Sequence, residues 1–320
     1  MKRQLSLFSR QPLSTDEVDG ATALAATFDL FAHHLRADGK TAHTVNAFLS
    51  DLRLLAAYAG EELAIGQLRH ALLVGFLEWM EHERGLPCSR KTYARRVTTL
   101  KVYCKWLCEL RLLAEDPAES IRQRSGPAPL SHVLTDAQAR DCIIAARSIM
   151  RGAAQDFRPE FLFRLLLQTG IKKAECGRLD LSDIDRSNPE TALVFIRHKT
   201  RDIYKERRID LDADTLRLLD PYLRQYQPDE LLFTCTTRNL EYILTDIGLR
   251  AQMPFKLSFE VLRWTMALRH YLADINEDQI RQKLGLSRQS WYETGAKIRR
   301  LAARPPVATD NTDSETVDVL

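Results

Sequence analysis

The sequence predicts a mainly α protein with a small β-sheet, split into an N-terminal helical domain and a C-terminal α+β domain. Three observations carry this. Apolar residues recur at helical spacing from Leu24 to Leu107 and again from Leu134 to Leu301. Only Ala192–Ile196 and the stretch 206–211 (ERRIDL) read as strands. Between the two helical regions, residues 122–133 have the Pro, Gly and Ser content of a linker.

At 320 residues the chain suits two domains. Apolar content of 45% and charged content of 28% are those of a globular protein. The net charge of +3 is too small to indicate a nucleic-acid partner, so local clustering must carry any such claim. The six cysteines show no CxxC spacing, and no His/Cys pair follows Cys104 and Cys108 at ligand distance. Core packing is the reading for Cys104 and Cys108, with neither a metal nor any other cofactor expected. No apolar run approaches the about 20 residues of a membrane helix, and Met1-Lys2-Arg3 leads into a polar segment rather than a signal core. A cytoplasmic protein with reduced thiols and no membrane partner is expected.

Residues 1–20 read as a flexible leader. Residues 21–121 form the first domain. Leu24, Phe28, Phe31 and Leu35 mark one helix, stopped by Asp38-Gly39-Lys40. Thr41 or Thr44 opens a second, with Val45, Phe48, Leu52, Leu55 and Tyr58 on one side and Gly60 at its end. A third runs from His70 to Arg84. The fourth follows Ser89, a natural N-cap. Tyr93, Val97, Leu100, Cys104 and Leu107 give it a buried side. Arg90, Lys91, Arg95, Arg96, Lys101 and Lys105 give it an unusual run of one sign, with Glu109 the only acid before Arg111. Such a run is ordinarily a solvated face. One sign on one helix, however, suits phosphate neutralisation and counterion release, and a helix of this size fits the major groove of duplex DNA.

Residues 134–303 form the second domain. Thr135 caps a helix reaching about Met150. The stretch 163–185 (FRLLLQTGIKKAECGRLDLSDID) reads as a buried helix, a turn at Thr169-Gly170, a short helix and an exit toward a strand. Leu165, Leu166 and Leu167 are its apolar run. Ile171, Ala174 and Leu179 are expected to face inward, with Lys172, Lys173, Glu175 and Arg178 kept for polar work. The strands 192–196 and 206–211 flank a turn with Lys199, Arg201 and Lys205. Helices are expected over 215–226, 240–249, 262–272, 279–284 and 291–301, with a short apolar piece at 231–233. Residues 304–320 read as a disordered acidic tail with Asp310, Asp313, Glu315 and Asp318.

Thr169-Gly170-Ile171-Lys172, then Glu175-Cys176, then Asp183-Ile184-Asp185, resembles the first catalytic box of the tyrosine recombinase (phage integrase) family. Four helices ending at Asp116-Pro117-Ala118 resemble that family's core-binding domain. Glu260-Val261-Leu262-Arg263-Trp264-Thr265 and Leu284-Gly285-Leu286 resemble its second and third boxes. The architecture is similar to the two-domain Xer-like members.

The resemblance implies a tyrosine that attacks a DNA phosphate, with cations around the developing charge. Arginine forks suit two phosphate oxygens, and a lysine or histidine hands a proton to the leaving hydroxyl. Carried over by position, the first arginine falls on Lys172, which keeps the charge but loses the fork. The hairpin lysine falls on Lys199 and the second arginine on Arg263. Glu260 and Leu286 replace the two histidines, and the nucleophile count lands on Gly295. Tyr292, three residues earlier, is the nearby tyrosine.

An anion at Glu260 about 4 Å from a phosphate charge costs about 4 kcal/mol at an effective dielectric near 20, on the order of a thousandfold in rate. Pairing with Lys172 or Arg263 is its expected escape. Lys172, Lys199, Arg201 and Arg263 are therefore expected to bind DNA together with the basic helix. The expected function is a double-stranded DNA-binding protein of this family, associated with recombination or integration and deficient in cleavage. It is expected to act as a homo-oligomer or beside an active recombinase. One alternative is an active recombinase cutting through Tyr292. Another is an interaction protein that has left DNA altogether.

Overall fold

The computed structural model describes residues 17–60, 62–123, 129–188, 192–198 and 200–303. Residues 1–16 and 124–128 of the expected leader and linker, and the tail 304–320, lie outside them, as does Lys199. Two compact units are present, Met1–Pro129 and Leu130–Leu320.

In the first unit a 3-10 turn, Leu24–Thr27, leads into helix α1 (Phe28–Ala37). Helix α2 (Ala42–Ala59) is capped by Thr41, whose hydroxyl accepts from the Thr44 N–H at 3.2 Å. Helix α3 spans His70–His82 and α4 spans Arg90–Glu109. Ser89 caps α4 as its sequence predicts, accepting from Thr92 N–H at 3.1 Å. Phe31, Leu52, Leu55, Phe76 and Val97 close one core, and Cys104 packs within it, fully buried.

The second unit opens with α5 (Asp136–Arg147), where Thr135 caps and Gln138 completes the box. This helix ends short of Met150. A two-residue hairpin follows instead, β1 (Met150–Arg151) paired antiparallel with β2 (Ala154–Gln155). Helix α6 (Phe157–Thr169) then crosses the core, with Phe161, Leu162, Phe163 and Leu165 wholly buried.

Gly170 ends α6 at φ +58°, the left-handed conformation that favours glycine, while a Cβ there would meet only the flexible end of the Met266 side chain. The short helix α7 (Lys173–Cys176) leaves Ala174 exposed rather than inward, because Glu175 and Cys176 take the buried positions.

Strands β3 (Ile184–Asp185), β4 (Ala192–Ile196) and β5 (Arg207–Leu211) form an antiparallel sheet in that order. Val194 pairs with Ile209 and Ala192 with Leu211, which buries alternate residues against the core. Helices α8 (Ala213–Tyr226), α9 (Thr237–Arg250), α10 (Phe259–Leu272), α11 (Glu277–Lys283) and α12 (Arg288–Ala302) complete the unit. Met266, Ala267, Ile280, Leu284 and Ile298 make a smaller core where α10, α11 and α12 meet.

Candidate phosphate-binding site

Four elements converge on the turn after α6. Lys172 opens α7, and its backbone N–H donates to Glu175 Oε2 at 2.8 Å. Glu175 is 4% exposed. Burial pushes its carboxyl pKa up, but Arg207 and the Lys172 N–H more than offset this and hold it at about 2. Arg207 forks onto it, Nη2 to Oε2 at 2.7 Å and Nη1 to Oε1 at 3.2 Å. The same guanidinium donates through Nε to the Lys283 carbonyl at 2.7 Å and through Nη1 to the Lys205 carbonyl at 3.0 Å. Gly285 sits beside it at φ +58°, and a Cβ there would lie 2.7 Å from Arg207 Nη1.

Arg263 projects from α10 into the same place. Its Nη1 donates to the Gly170 carbonyl at 2.5 Å and its Nη2 to the Leu284 carbonyl at 2.6 Å. One side chain therefore ties the turn after α6 to the loop after α11. Burial lowers its pKa to about 10, with Glu175 pulling upward and Arg207 further downward, so it stays charged at neutral pH.

The Lys172 side chain is half-buried. Burial lowers its pKa, and the neighbouring Arg263, Arg207 and Lys205 charges add to that while Glu175 opposes it. Among the described residues no carboxylate lies within ion-pair distance of its ammonium.

His198, at the end of β4, is nine-tenths buried with Nε2 3.3 Å from Glu175 Oε1. That distance allows an ion pair when the ring is protonated. The approach is off-line for a hydrogen bond, so Nε2 has no hydrogen-bond partner.

The remaining family positions are spread out. The exposed Glu260 pairs with neither Lys172 nor Arg263; Oε1 instead accepts from Trp264 Nε1 at 2.7 Å, one turn along α10. Leu286 packs against the core of α10, α11 and α12. Gly295 is buried beneath Trp291, whereas Tyr292 is 81% exposed on α12. Trp291 is held by Glu277, Nε1 to Oε2 at 3.1 Å. Lys199 and the Arg201 side chain are outside the described residues.

The basic helix α4 divides into two groups. Arg95 Nη1 donates to Asp51 Oδ2 at 2.5 Å and to the Ala47 carbonyl at 3.0 Å. Arg96 is buried, 3.5 Å from Asp51 Oδ1, with Nη1 on Cys88 Sγ at 3.0 Å. Both arginines thus fasten α4 to α2, and Asp51 itself is 3% exposed. Lys101 Nζ donates to the Glu119 carbonyl at 3.0 Å. Arg90, Lys91 and Lys105 are exposed.

Arg207 and His198 went unnoticed in the sequence. A usable signal existed for Arg207: it shares the β5 face of Ile209 and Leu211, and a cation on a core face requires a buried acid.

Residues 28–109 match the family model described as the phage integrase N-terminal SAM-like domain. Tyrosine recombinase XerC of Mycobacterium sp. (strain KMS) is 31% identical over 166 residues, covering 51% of this chain and 55% of that protein. The XerC of Mycobacterium tuberculosis (strain ATCC 25177 / H37Ra) is 33% identical over 165 residues, 51% of this chain and 54% of that one. The chain thus spans about half the length of the curated relatives it matches.

Among solved structures, a lambda integrase dimer bound to a COC' core site superposes with a TM-score of 0.68 at 12% identity, covering 94% of this chain and 82% of that one. XerH site-specific recombinase in a post-cleavage complex with palindromic difH substrate gives 0.66 at 17% identity, covering 87% and 82%. At such identities the likeness is one of fold. The chain is similar to the tyrosine recombinases in sequence over about half its length and in its two-domain fold, and its residues 28–109 match the phage integrase SAM-like domain.

Proposed function

We propose that this protein binds double-stranded DNA through its phosphates and does not cut it, acting in site-specific recombination or integration as an oligomer or beside an active recombinase. The observation that carries this reading is the pairing of Lys172 with Arg263. An ammonium with no carboxylate in ion-pair distance among the described residues stands beside a guanidinium whose two terminal nitrogens are already committed to carbonyls. The charge that attracts a phosphate is kept, while the free fork that stabilises a transition state is spent on holding two loops.

Both histidines and the nucleophilic tyrosine are missing from their family positions, although the hairpin lysine is kept as Lys199. Glu260 is bonded to Trp264, Leu286 is packing, and Gly295 has no side chain. In the first unit this reading assigns phosphate contact to Arg90, Lys91 and Lys105, the last 4.0 Å from Glu109, since Arg95 and Arg96 are engaged with Asp51.

The reading is tested by equilibrium binding to a duplex at several salt concentrations. Lys172→Ala should lower the salt slope by about 0.9, the share of one phosphate contact. An unchanged slope would remove Lys172 from the interface. Exposure of Tyr292 favours one second reading, cleavage through that hydroxyl; Tyr292→Phe decides it.

A further inference from the structure

The β4–β5 connection combines a rigid base with an apolar tip. At the base, the His198 N–H donates to Glu206 Oε1 at 2.9 Å, and the Glu206 N–H donates to the Ile203 carbonyl at 2.9 Å. The Lys205 carbonyl is held by Arg207, itself forked onto the buried Glu175. The tip is a 3-10 turn, Thr200–Lys205, kinked at Asp202. It displays Ile203 at 60% exposure and Tyr204 at 59%.

Two large side chains exposed next to one another at the end of a stapled loop form a patch of the kind a partner covers. The surroundings hold more cations than acids, although Lys205, Arg207 and Arg281 are paired with Asp202, Glu175 and Asp278. Lys205 Nζ lies 5.1 Å from the Tyr204 ring centre and is bonded to Asp202. A cavity of about 640 Å³ beside Tyr204 is lined by Arg207, Arg208, Arg281 and Lys283, with Glu206 and Asp210 as its acids. Lys205 is close enough to Lys172 to lower that lysine's pKa.

The geometry points to Ile203 and Tyr204 as a wedge that enters between base steps of the duplex whose phosphates the adjacent cations hold; this rests on the DNA-binding reading above. Apolar wedges flanked by cations unstack and unwind a duplex at a cost of a few kcal/mol per step, recovered in added contact. Arg208 and Lys283, which form no ion pair among the described residues, are the charges that favour a polyanion over an apolar protein face. The stapled base supplies the stiffness that unstacking demands.

The test is relaxation of a closed circular plasmid by a topoisomerase in the presence of the full chain, followed by protein removal. The native protein should leave the topoisomer distribution shifted toward negative supercoiling. Ile203→Ser with Tyr204→Ser should abolish the shift while plasmid retention on a filter stays within about threefold; both positions are exposed, so thermal melting should be unchanged. Equal shifts from both proteins at equal retention would overturn the wedge. So would an unshifted distribution from both, and a variant that then differed only in self-association would assign the tip to a second copy of the chain. A native protein that fails to retain plasmid at all would overturn the DNA-binding reading itself, and the wedge with it.

Discussion

Arg207 on β5 and Glu175 on α7 form a two-bond fork at 2.7 and 3.2 Å, and the rest of the second unit's cation cluster is arranged around that pair. Glu175 also fixes the start of α7 through the Lys172 N–H, and Arg207 also holds the Lys283 and Lys205 carbonyls. The pair is therefore the structural centre from which Lys172 and His198 are placed. Arg207→Ala leaves a buried carboxylate uncompensated and should cost about 3–5 kcal/mol of stability in urea denaturation. Arg207→Met combined with Glu175→Leu should cost clearly less than the single change, since no charge is then stranded.

The pair also sets an acid limit. The Glu175 pKa is held near 2 in the fold, against 4.5 as its ordinary value. A depressed carboxylate stabilises the fold above its unfolded pKa, and that contribution is lost as pH falls through the folded value. Stability measured by denaturation should therefore decline between about pH 5 and pH 2, by on the order of 2–3 kcal/mol from this group. Glu175→Gln should remove that part of the slope.

A second pH dependence lies between α10 and α11. His270 Nδ1 is 2.9 Å from the Met266 carbonyl, and its Nε2 is 2.9 Å from Lys283 Nζ. The geometry requires a neutral ring, donating from Nδ1 and accepting at Nε2. Burial lowers its pKa, and the Lys283 charge lowers it further. The unfolded chain binds the proton more readily, so stability should fall as pH drops below about 6.5. His270→Gln should flatten thermal melting across that window.

On α4 the exposed and the engaged cations should separate in their effects. Arg90→Ala, Lys91→Ala and Lys105→Ala should each lower the salt slope of duplex binding by about 0.9, with no change in melting. Arg95→Glu with Arg96→Glu faces the buried Asp51 with two anions and should cost at least 3–5 kcal/mol of stability. Binding lost in that double variant would report unfolding, which circular dichroism distinguishes.

Much of this was legible in the sequence. The caps at Ser89 and Thr135, the turn at Gly170 and the strands around Val194 and Ile209 are local signals, written within a few residues of where they act. The Glu175–Arg207 fork spans 32 positions, and no periodicity announces a pairing of that kind. Arg96 read as a surface cation because charge runs are normally solvated; only the buried Asp51, 45 positions earlier on α2, makes it a core residue. Glu260 was expected to seek a cation and found the Trp264 indole one helical turn away, a local donor that competes well with a distant charge. The hairpin at Met150–Gln155 leaves no periodic signal, because its strands are two residues long.

The central claim is that DNA is held and not cut. Its most direct measurement is retention of sheared duplex DNA on the purified full chain, washed in native buffer and in parallel in denaturing detergent, with Tyr292→Phe beside it. The account predicts that DNA is held in native buffer and released completely by detergent, equally for both proteins. DNA that survives detergent on the native protein but not on Tyr292→Phe would reveal a phosphotyrosine bond, and would contradict it.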